Sequence, residues 1–413
     1  MKILFFLLSF LFSEISLGRE SINLQEAYHS ALEKTETVPV QMNLTEQSKE
    51  TVSQAWGSLL PSVNYSYTYS KLGGKKNTSA IIFSTNIVSK IAVTQPLYQG
   101  GKEYAAVRIA EAELLSNQLM TDQTRITLFQ DIANVYFSVL AGEKDLEDLK
   151  ESLKLRLERA EQLEKWHKIG RARKGDVLLE KSSIATLKAQ IDSDKNEISQ
   201  NRFRFSYLTG LNETIKLQNT YKVPSKLAHL NSYLDKIERR PDIQSLRTQL
   251  HIADENISLT KGDHYPTLSA FGDVYFIRTG AQGSWYDLGL NFVFPIYHGG
   301  TVKSQVRQAI LKQSQAQLQL NQTLRNTENN IRTYYDAVVS GLAQIKSYTL
   351  AAKTAEENYH EQMRDFKNGL ITNLDVIAAL STLQDSRRAL DQTIYQTIKQ
   401  YVQLESSVGV VPN

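Results

Sequence analysis

The sequence predicts a mainly α protein with some β structure, in which a β-hairpin followed by a very long helix occurs twice. Three observations predict this fold: a repeated motif, stretches of alternating aromatic and polar residues, and two unusually long helical stretches. The motif QPLYQGG at 95–101 returns as FPIYHGG at 294–300, so that Pro96 and Pro295 lie 199 positions apart (295 − 96). An offset that recurs elsewhere in a chain indicates two copies of one structural unit.

The first eighteen residues have the features of a secretory signal peptide. Lys2 provides a positive start, residues 3–12 are apolar apart from Ser9, and SLG at 16–18 supplies the small residues that a signal peptidase recognises. The apolar run is too short to cross a bilayer as a helix, and no later stretch approaches the roughly 18 apolar residues that a spanning helix needs. We therefore expect residues 1–18 to be removed, and any passage through a bilayer to use strands.

Composition argues against several functional classes. The 413 residues include no cysteine, which excludes disulfides, thiolate metal sites and lipoprotein acylation. The formal net charge is +3 and charges of both signs are interleaved, so nucleic acid is not an expected partner. The seven histidines lack paired helical spacing, and GGKK at 73–76 lacks the spacing of a P-loop. We expect no enzyme activity, no metal and no cofactor.

The first repeat is expected to cover residues 19–210. Residues 24–58 read as a helix with a break near 37–39, after which Val63 and three tyrosines alternate with small polar residues. Such alternation is typical of a strand that faces two different environments. A Gly-Gly-Lys-Lys-Asn turn at 73–77 and a second extended stretch complete a predicted hairpin at 62–97.

Each hairpin leads into a helix whose length is itself informative. The predicted long helix 102–168 has about 67 residues and hence a length of about 100 Å, whereas helices in globular proteins average about a dozen residues. This length indicates a coiled coil or a helical tube. A turn at Gly170 and a return helix at 176–207 follow, and 211–235 is expected to link the repeats.

The second repeat, 236–413, is expected to copy this order. It contains a hairpin at 267–296 whose second strand runs over 285–296, a long helix at 301–367 and a return helix at 375–405. Apolar residues recur every seven positions of this long helix, as in a coiled coil. These are Ile331, Val338, Ile345, Ala352, Tyr359 and Phe366, and the positions 199 residues earlier are Ile132, Val139, Leu146, Leu153, Ala160 and His167.

Four strands in one chain leave the geometry of the sheet incomplete. Within a bilayer an open sheet edge leaves backbone groups unpaired, at several kcal/mol each, and the smallest membrane barrels have about eight strands. Spanning strands would therefore be pooled between copies: about eight from a dimer, about twelve from a trimer. The alternative is a water-soluble four-stranded sheet over a helical body, and the signal peptide and the tyrosine-rich alternation favour the membrane.

The chain resembles the TolC-type outer-membrane efflux proteins over nearly its whole mature length. The resemblance is carried by LLPS at 59–62, YPTL at 265–268, the two Gly-Gly motifs, and the turns WHKIGRARKGDVL at 166–178 and FKNGLITNLDVIAAL at 366–380. It implies a homotrimer in the outer membrane of a Gram-negative bacterium, with a 12-stranded β-barrel continuing into a 12-helix periplasmic α-barrel. It also implies contact with outer-membrane lipid, a periplasmic adaptor and an inner-membrane pump.

The resemblance assigns roles to particular residues. Asp375 matches an acidic residue that rings the periplasmic entrance, or gate, of the family, and Asp176 is its counterpart in the first repeat. Ile371 stands where the best-known member has an arginine that helps to latch the entrance, and Ala378 stands at a second acidic position. The adaptor-docking helix tips are expected at Gly170, Arg171, Arg173, Lys174, Gly369, Leu370, Thr372 and Val376. The transition from barrel to helices is expected at Pro96, Gly100, Gly101, Pro295, Gly299 and Gly300.

Two functions fit these features. The first is an outer-membrane exit duct of a tripartite efflux or type I secretion system, which passively conducts substrates such as drugs, metal ions or proteins. The second is a periplasmic or surface structural coiled-coil protein without channel activity. The long helices fit both functions, whereas the paired hairpins and the resemblance favour the duct.

Overall fold

The computed structural model describes residues 21–71, 85–279 and 285–412. The predicted signal peptide, the turn at 73–77 and the loop at 280–283 lie outside these ranges. The helices are α1 (Leu24–Lys34), α2 (Thr37–Gly57), α3 (Lys102–Lys168), α4 (Lys174–Thr209), α5 (Leu230–Leu234), α6 (Pro241–Lys261), α7 (Thr301–Lys367) and α8 (Asn373–Ser406). The strands are β1 (Ser21–Ile22), β2 (Ser62–Lys71), β3 (Thr85–Gln99), β4 (Lys216–Leu217), β5 (Thr267–Arg278) and β6 (Tyr286–Val293). Short 3₁₀ helices cover Ile237–Arg239 and Gly262–His264.

The long helices α3 and α7 have the bounds that the sequence predicts. The return helices α4 and α8, however, begin two residues before the predicted starts at Asp176 and Asp375. The reason is that each aspartate occupies the third helical position, from which its carboxylate reaches back to cap the helix start. The predicted break before α2 falls at residues 35–36, so Pro39 lies in the first turn, where its missing N–H costs no hydrogen bond.

Four strands form one antiparallel sheet in the order β2-β3-β5-β6. The predicted extension of β6 to Ile296 is wrong, because Val293 pairs with Thr267, the first residue of β5, and no partner strand lies beyond it. Pro295, two residues after the last residue of β6, also has no N–H to donate to a neighbouring strand. Strand β3 instead continues past Leu97 to Gln99, with an irregularity in its pairing between Pro96 and Tyr98.

The segment predicted as a linker at 211–235 has structure of its own. It contains β4, which pairs in parallel with β1 at the start of the described chain. The hydroxyl of Tyr136 joins the two strands: it lies 2.9 Å from the carbonyl oxygen of Ile22 and accepts from the N–H of Gln218 at 3.1 Å. Tyr136 belongs to a hydrophobic core with Phe129, Phe137 and Phe205. Apolar residues of the linker segment pack against this core. The linker therefore contributes to a hydrophobic core.

Two compact units make up the described chain, and they do not coincide with the repeats. One contains the residues up to Val38, Arg125–Lys236 and those from Thr327 onward; the other contains Pro39–Thr124 and Ile237–Asn326. Each unit thus combines segments of both repeats. The helix turns belong to the first unit, and the four-stranded sheet belongs to the second.

The helix pairs of the first unit pack through stripes of apolar side chains. In α4 the buried residues follow a seven-residue spacing, as in a coiled coil: Val177, Ile184, Ile191, Ile198 and Phe205. The predicted stripe of α7 is confirmed at Ile331 and Val338, which are fully buried, whereas His167 at the far end of the α3 stripe is exposed. Both pairs also contain a glycine at a close helix contact, Gly142 against Ile198 and Gly341 against Thr397.

Candidate functional site at the helix turns

The two turns that join the long helices to the return helices have the same backbone geometry. Gly170 and Gly369 have φ angles of 76° and 79°, a region that favours glycine. The N–H of each glycine donates to the carbonyl three residues earlier, and the next N–H donates to the carbonyl five residues before it, with distances of 2.8–3.0 Å. This is the Schellman motif that ends many helices, so both repeats stop their long helix in the same way.

The two predicted gate residues cap the helices that follow these turns. The carboxylate of Asp375 accepts hydrogen bonds from the N–H of Thr372 at 2.8 Å and from its hydroxyl at 2.6 Å. The carboxylate of Asp176 accepts one from the N–H of Arg173 at 3.3 Å. The hydroxyl bond and the backbone bond from Thr372 hold the pKa of Asp375 below its ordinary value. Asp375 is exposed, so this turn presents a carboxylate that stays ionised at neutral pH.

The predicted docking residues divide between surface and core. Leu370 is 71% exposed, whereas Val376 is fully buried in a cluster with Ala379, Leu380 and Tyr359. Ile371 packs against the same cluster. A partner that approaches the second turn would therefore meet Leu370 first, while Val376 and Ile371 hold the turn against the helices behind it.

The three basic residues of the first turn face solvent. Arg171, Arg173 and Lys174 are exposed, and within the described ranges none of their side chains forms an ion pair. Asp365, near the end of the other long helix, is a candidate acidic partner for them, but no ion pair joins it to any of the three among the described residues of this chain. A cluster of exposed cations can attract an acidic partner.

A buried charged network, which the sequence did not predict, lies behind the turns. Arg156 and Arg159 of α3 and Glu180 of α4 are at most 6% exposed. Arg156 Nη1 lies 3.7 Å from Glu180 Oε1, and Arg159 Nε donates to Asn373 Oδ1 of α8 at 2.9 Å. Because Asn373 is the first residue of α8, this bond ties the second repeat to the first directly behind the second turn.

Further contacts extend this connection. Arg156 Nη2 lies 3.2 Å from the hydroxyl of Ser381 in α8, and the guanidinium of Arg159 lies 4.7 Å from the ring centre of Phe366 in α7. The ring of Trp166 in α3 lies 5.2 Å from the same phenylalanine. Two arginines of α3 thus contact both helices of the second repeat. They do so through hydrogen bonds to α8 and through a cation–π contact with α7.

Two opposing effects act on the pKa of Glu180. Burial raises its pKa, and the guanidinium groups of Arg156 and Arg159 partly oppose this rise. Neither oxygen of its carboxylate has a hydrogen-bond partner among the described residues. The one available sequence signal was its position three residues after Val177, on the face of α4 that carries the apolar stripe.

The glycine pairs predicted at the transition lie where strands give way to helices. Gly100 and Gly101 separate β3 from α3, and Gly299 and Gly300 precede α7; all have positive φ. At Gly100 a Cβ atom would lie 2.3 Å from the carbonyl oxygen of Gly262, so only glycine fits. Pro96 lies within β3 and Pro295 just after β6.

A family model described as "Outer membrane efflux protein" matches residues 27–211 and 234–410. The chain belongs to this family. The two matched segments follow the two repeats. The protein is therefore an outer-membrane efflux protein.

Similar proteins agree with this assignment. The outer membrane protein TolC of Salmonella enteritidis is 23% identical over 99% of this chain and 86% of its own length. The alkaline protease secretion protein AprF of Pseudomonas aeruginosa is 21% identical over 95% of this chain and 85% of its own length. The crystal structure of the outer membrane protein VceC of Vibrio cholerae matches with a TM-score of 0.82 at 20% identity, covering 94% of this chain and 96% of that one.

The described residues lack two features. None of the described helices combines the length and the apolar character that a membrane-spanning helix requires. Within the same residues, no three His, Asp or Glu side chains are grouped so as to hold a metal ion.

Proposed function

We propose that the protein works as a homotrimeric exit duct, in which three copies pool their strands into a 12-stranded barrel and their helices into a tunnel. The observation that carries this proposal is the open sheet. Among the described residues, its outer strands β2 and β6 each pair on one side only, so two rows of backbone groups are left for neighbouring chains. In a bilayer such edges must be paired, and three four-stranded sheets reach the size range of membrane barrels.

The two faces of the sheet support the same proposal. Large side chains on one face of β2 and β6 are more than half exposed: Tyr65, Tyr67, Tyr69, Tyr286, Leu288, Leu290 and Phe292. Asn64, Ser66 and Asp287 lie at alternate positions and so on the opposite face. An apolar outer face and a polar inner face are what a barrel between lipid and water requires.

The helix turns suggest how the duct meets its partners. In this proposal the entrance is ringed by three copies of Asp375, and the turns at Gly170 and Gly369 dock a periplasmic adaptor that connects to an inner-membrane pump. The exposed Leu370 supplies an apolar contact, and Arg171, Arg173 and Lys174 supply a basic one. The names of TolC and AprF, one an outer membrane protein and the other a protease secretion protein, are consistent with such an assembly.

Cross-linking between the sheet edges tests the trimer, and the absence of native cysteine makes the experiment clean. Cysteines at Tyr65 in β2 and at Leu290 in β6, together with neighbouring positions on the same faces, should cross-link neighbouring chains into covalent dimers and trimers after oxidation in the outer membrane. The matched control places cysteines at Tyr65 and Ile91, which pair within one chain, and should yield monomers only.

The same preparation separates the duct from the structural alternative. A duct should remain trimeric in detergent and show single-channel conductance in planar bilayers. A mature protein that is extracted without detergent, stays monomeric and conducts no current would overturn the proposal and favour a structural coiled-coil protein.

A further inference from the structure

The polar face of the sheet carries a group of charged residues that the helix turns do not explain. Lys90 of β3 and Asp273 of β5 form an ion pair with 2.6 Å between Nζ and Oδ2. Asp287 of β6 lies 3.4 Å from Nη1 of Arg278, and the hydroxyl of Tyr275 donates to Asp287 Oδ2 at 2.9 Å. We call these five residues the wall cluster. It connects β3, β5 and β6, and so joins strands of both repeats.

The register of the sheet places the wall cluster opposite the tyrosine face. Lys90 pairs with Ser66 of β2 and with Tyr275 of β5. Since paired residues of neighbouring strands point to the same side, the wall cluster shares its face with the small polar residues of β2. In a duct this face borders the water-filled interior.

Two carboxylates of the wall cluster face each other directly. Asp273 and Asp287 are register partners in the antiparallel pair β5–β6, and like charges at such positions repel. The repulsion is offset from both sides, by Lys90 on Asp273 and by Arg278 on Asp287. The formal charge of the cluster is therefore zero, but only as long as both cations are present.

The two ion pairs are not equally protected from solvent. The side chains of Lys90 and Asp273 are 30% and 12% exposed, whereas those of Arg278 and Asp287 are 36% and 40% exposed and lie farther apart. Exposed pairs are weakened by dissolved salt. Lys90 is therefore the cation whose position in the sheet is held more closely, and whose loss would expose an unbalanced negative charge to the interior.

We infer that Lys90 is a specificity-determining residue of the duct, because its pairing with Asp273 keeps two facing carboxylates from making the wall selective for cations. This inference rests on the proposed function, since it requires the polar face to line a conducting channel. It adds a site at the membrane end of the duct to the aspartate proposed at its periplasmic end. The pairing of Lys90 with Asp273 determines the selectivity of the duct for small inorganic ions.

The test measures the reversal potential of the purified trimer in planar bilayers under a tenfold potassium chloride gradient. Lys90→Gln should raise the ratio of potassium to chloride permeability by roughly threefold, the effect of one unbalanced charge a few ångströms from an ion in water. The increase should fade in 1 M salt, where the screening length is only about 3 Å. Asp273→Asn should shift the ratio in the opposite direction.

The chain offers a matched control in Lys71→Gln, which removes the same charge from the tyrosine face of the same sheet and should leave the ratio unchanged. The exchange of Lys90→Asp together with Asp273→Lys keeps both the pair and the net charge, and should retain the wild-type ratio. Repeating the series in an Asp375→Asn background removes the charge at the proposed entrance and should leave the effect of Lys90→Gln in place.

The outcomes separate the inference from the function on which it rests. If wild-type protein conducts but Lys90→Gln behaves like Lys71→Gln, the ion pair only holds the strands together and the inference is wrong. If Lys90→Gln does not assemble, the sign of the Asp273→Asn shift decides, and a shift towards cations or none at all overturns the inference. If no variant conducts and wild type does not either, the proposed function itself fails.

Discussion

The two helix pairs of the first compact unit share a backbone design but differ in the side chains between their helices. Arg156 and Glu180 lie between α3 and α4, and the positions 199 residues later are Ala355 and Ala379 (355 − 156; 379 − 180), both buried. One pair of helices thus encloses an ion pair where the other encloses two alanines. The Schellman turns and capping aspartates above them are nevertheless the same.

The difference shows that two copies of a fold can keep the same backbone while the interactions between their helices change. Alanines allow two helices to pack with apolar contacts alone, whereas a buried arginine needs partners on every side. Arg156 finds them in Glu180 and also in Ser381 of α8. The first repeat is thereby connected to the second through its own helix contact, and the second repeat has no equivalent pair at these positions.

The largest effect should come from breaking the ion pair on one side. Glu180→Ala empties a fully buried site between two buried arginines and should lower the free energy of unfolding by about 3 kcal/mol. The double variant Arg156→Met with Glu180→Leu, which makes this contact apolar like its counterpart, should lose less than the single variant. Denaturation of the detergent-solubilised protein, followed by circular dichroism, measures both. A double variant as unstable as the single one would contradict this account.

The pH dependence provides a second measure of the same pair. Because burial raises the pKa of Glu180 above its ordinary value, the folded state binds this proton more tightly than the unfolded state. The contribution of Glu180 to stability should therefore be largest below about pH 4.3, the ordinary pKa of glutamate, and decrease as the pH rises through the raised value. The difference in stability between wild type and the double variant should follow this course, and a difference that grows with pH would contradict it.

A smaller effect should distinguish the two mid-helix glycines, which are also 199 residues apart (341 − 142). A Cβ atom at Gly341 would lie 2.2 Å from Thr397 Oγ1 and 3.0–3.1 Å from the other atoms of this short side chain, whereas at Gly142 it would meet Cγ1 of Ile198 at 2.8 Å. Gly341→Ala should cost about 2 kcal/mol.

Gly142→Ala is its matched control and should be near neutral, because the gain of about 1 kcal/mol in helix propensity offsets the milder contact. Thermal unfolding of the two variants side by side tests the difference. Equal losses would show that the two helix contacts are equally close in solution.

Substitution of the two capping aspartates should have the smallest effect on stability. Its effect should instead be visible in conductance. Asp375→Asn keeps a side chain that can cap a helix and should change stability by less than about 0.5 kcal/mol, yet it removes the proposed charge at the entrance. We expect lower cation selectivity and weaker block by divalent cations in planar bilayers. Asp176→Asn serves as the comparison, and equal behaviour of both variants, or an unchanged Asp375→Asn channel, would reject the entrance ring.

Much of the fold was predictable because it depends on neighbours in sequence. The bounds of α3 and α7, the turn glycines and the glycine pairs after the hairpins follow from helix periodicity and from φ angles that favour glycine. The predictions that were wrong concern the ends of single elements. The starts of α4 and α8 were placed at the capping aspartates rather than two residues earlier, and β6 was extended past the first residue of its partner.

By itself, the sequence determined the duplicated unit, its family and the aspartate at the start of the helix after each turn, since each depends on spacing or on contacts within a few residues. Only the tertiary structure decided that Arg156, Arg159 and Glu180 are buried, that Val376 packs inward while Leu370 faces solvent, and that Lys90 pairs with Asp273. The physical reason is that these outcomes depend on contacts between elements that lie far apart in the sequence. A heptad pattern describes how two helices pack, but not which charged side chains a third one covers.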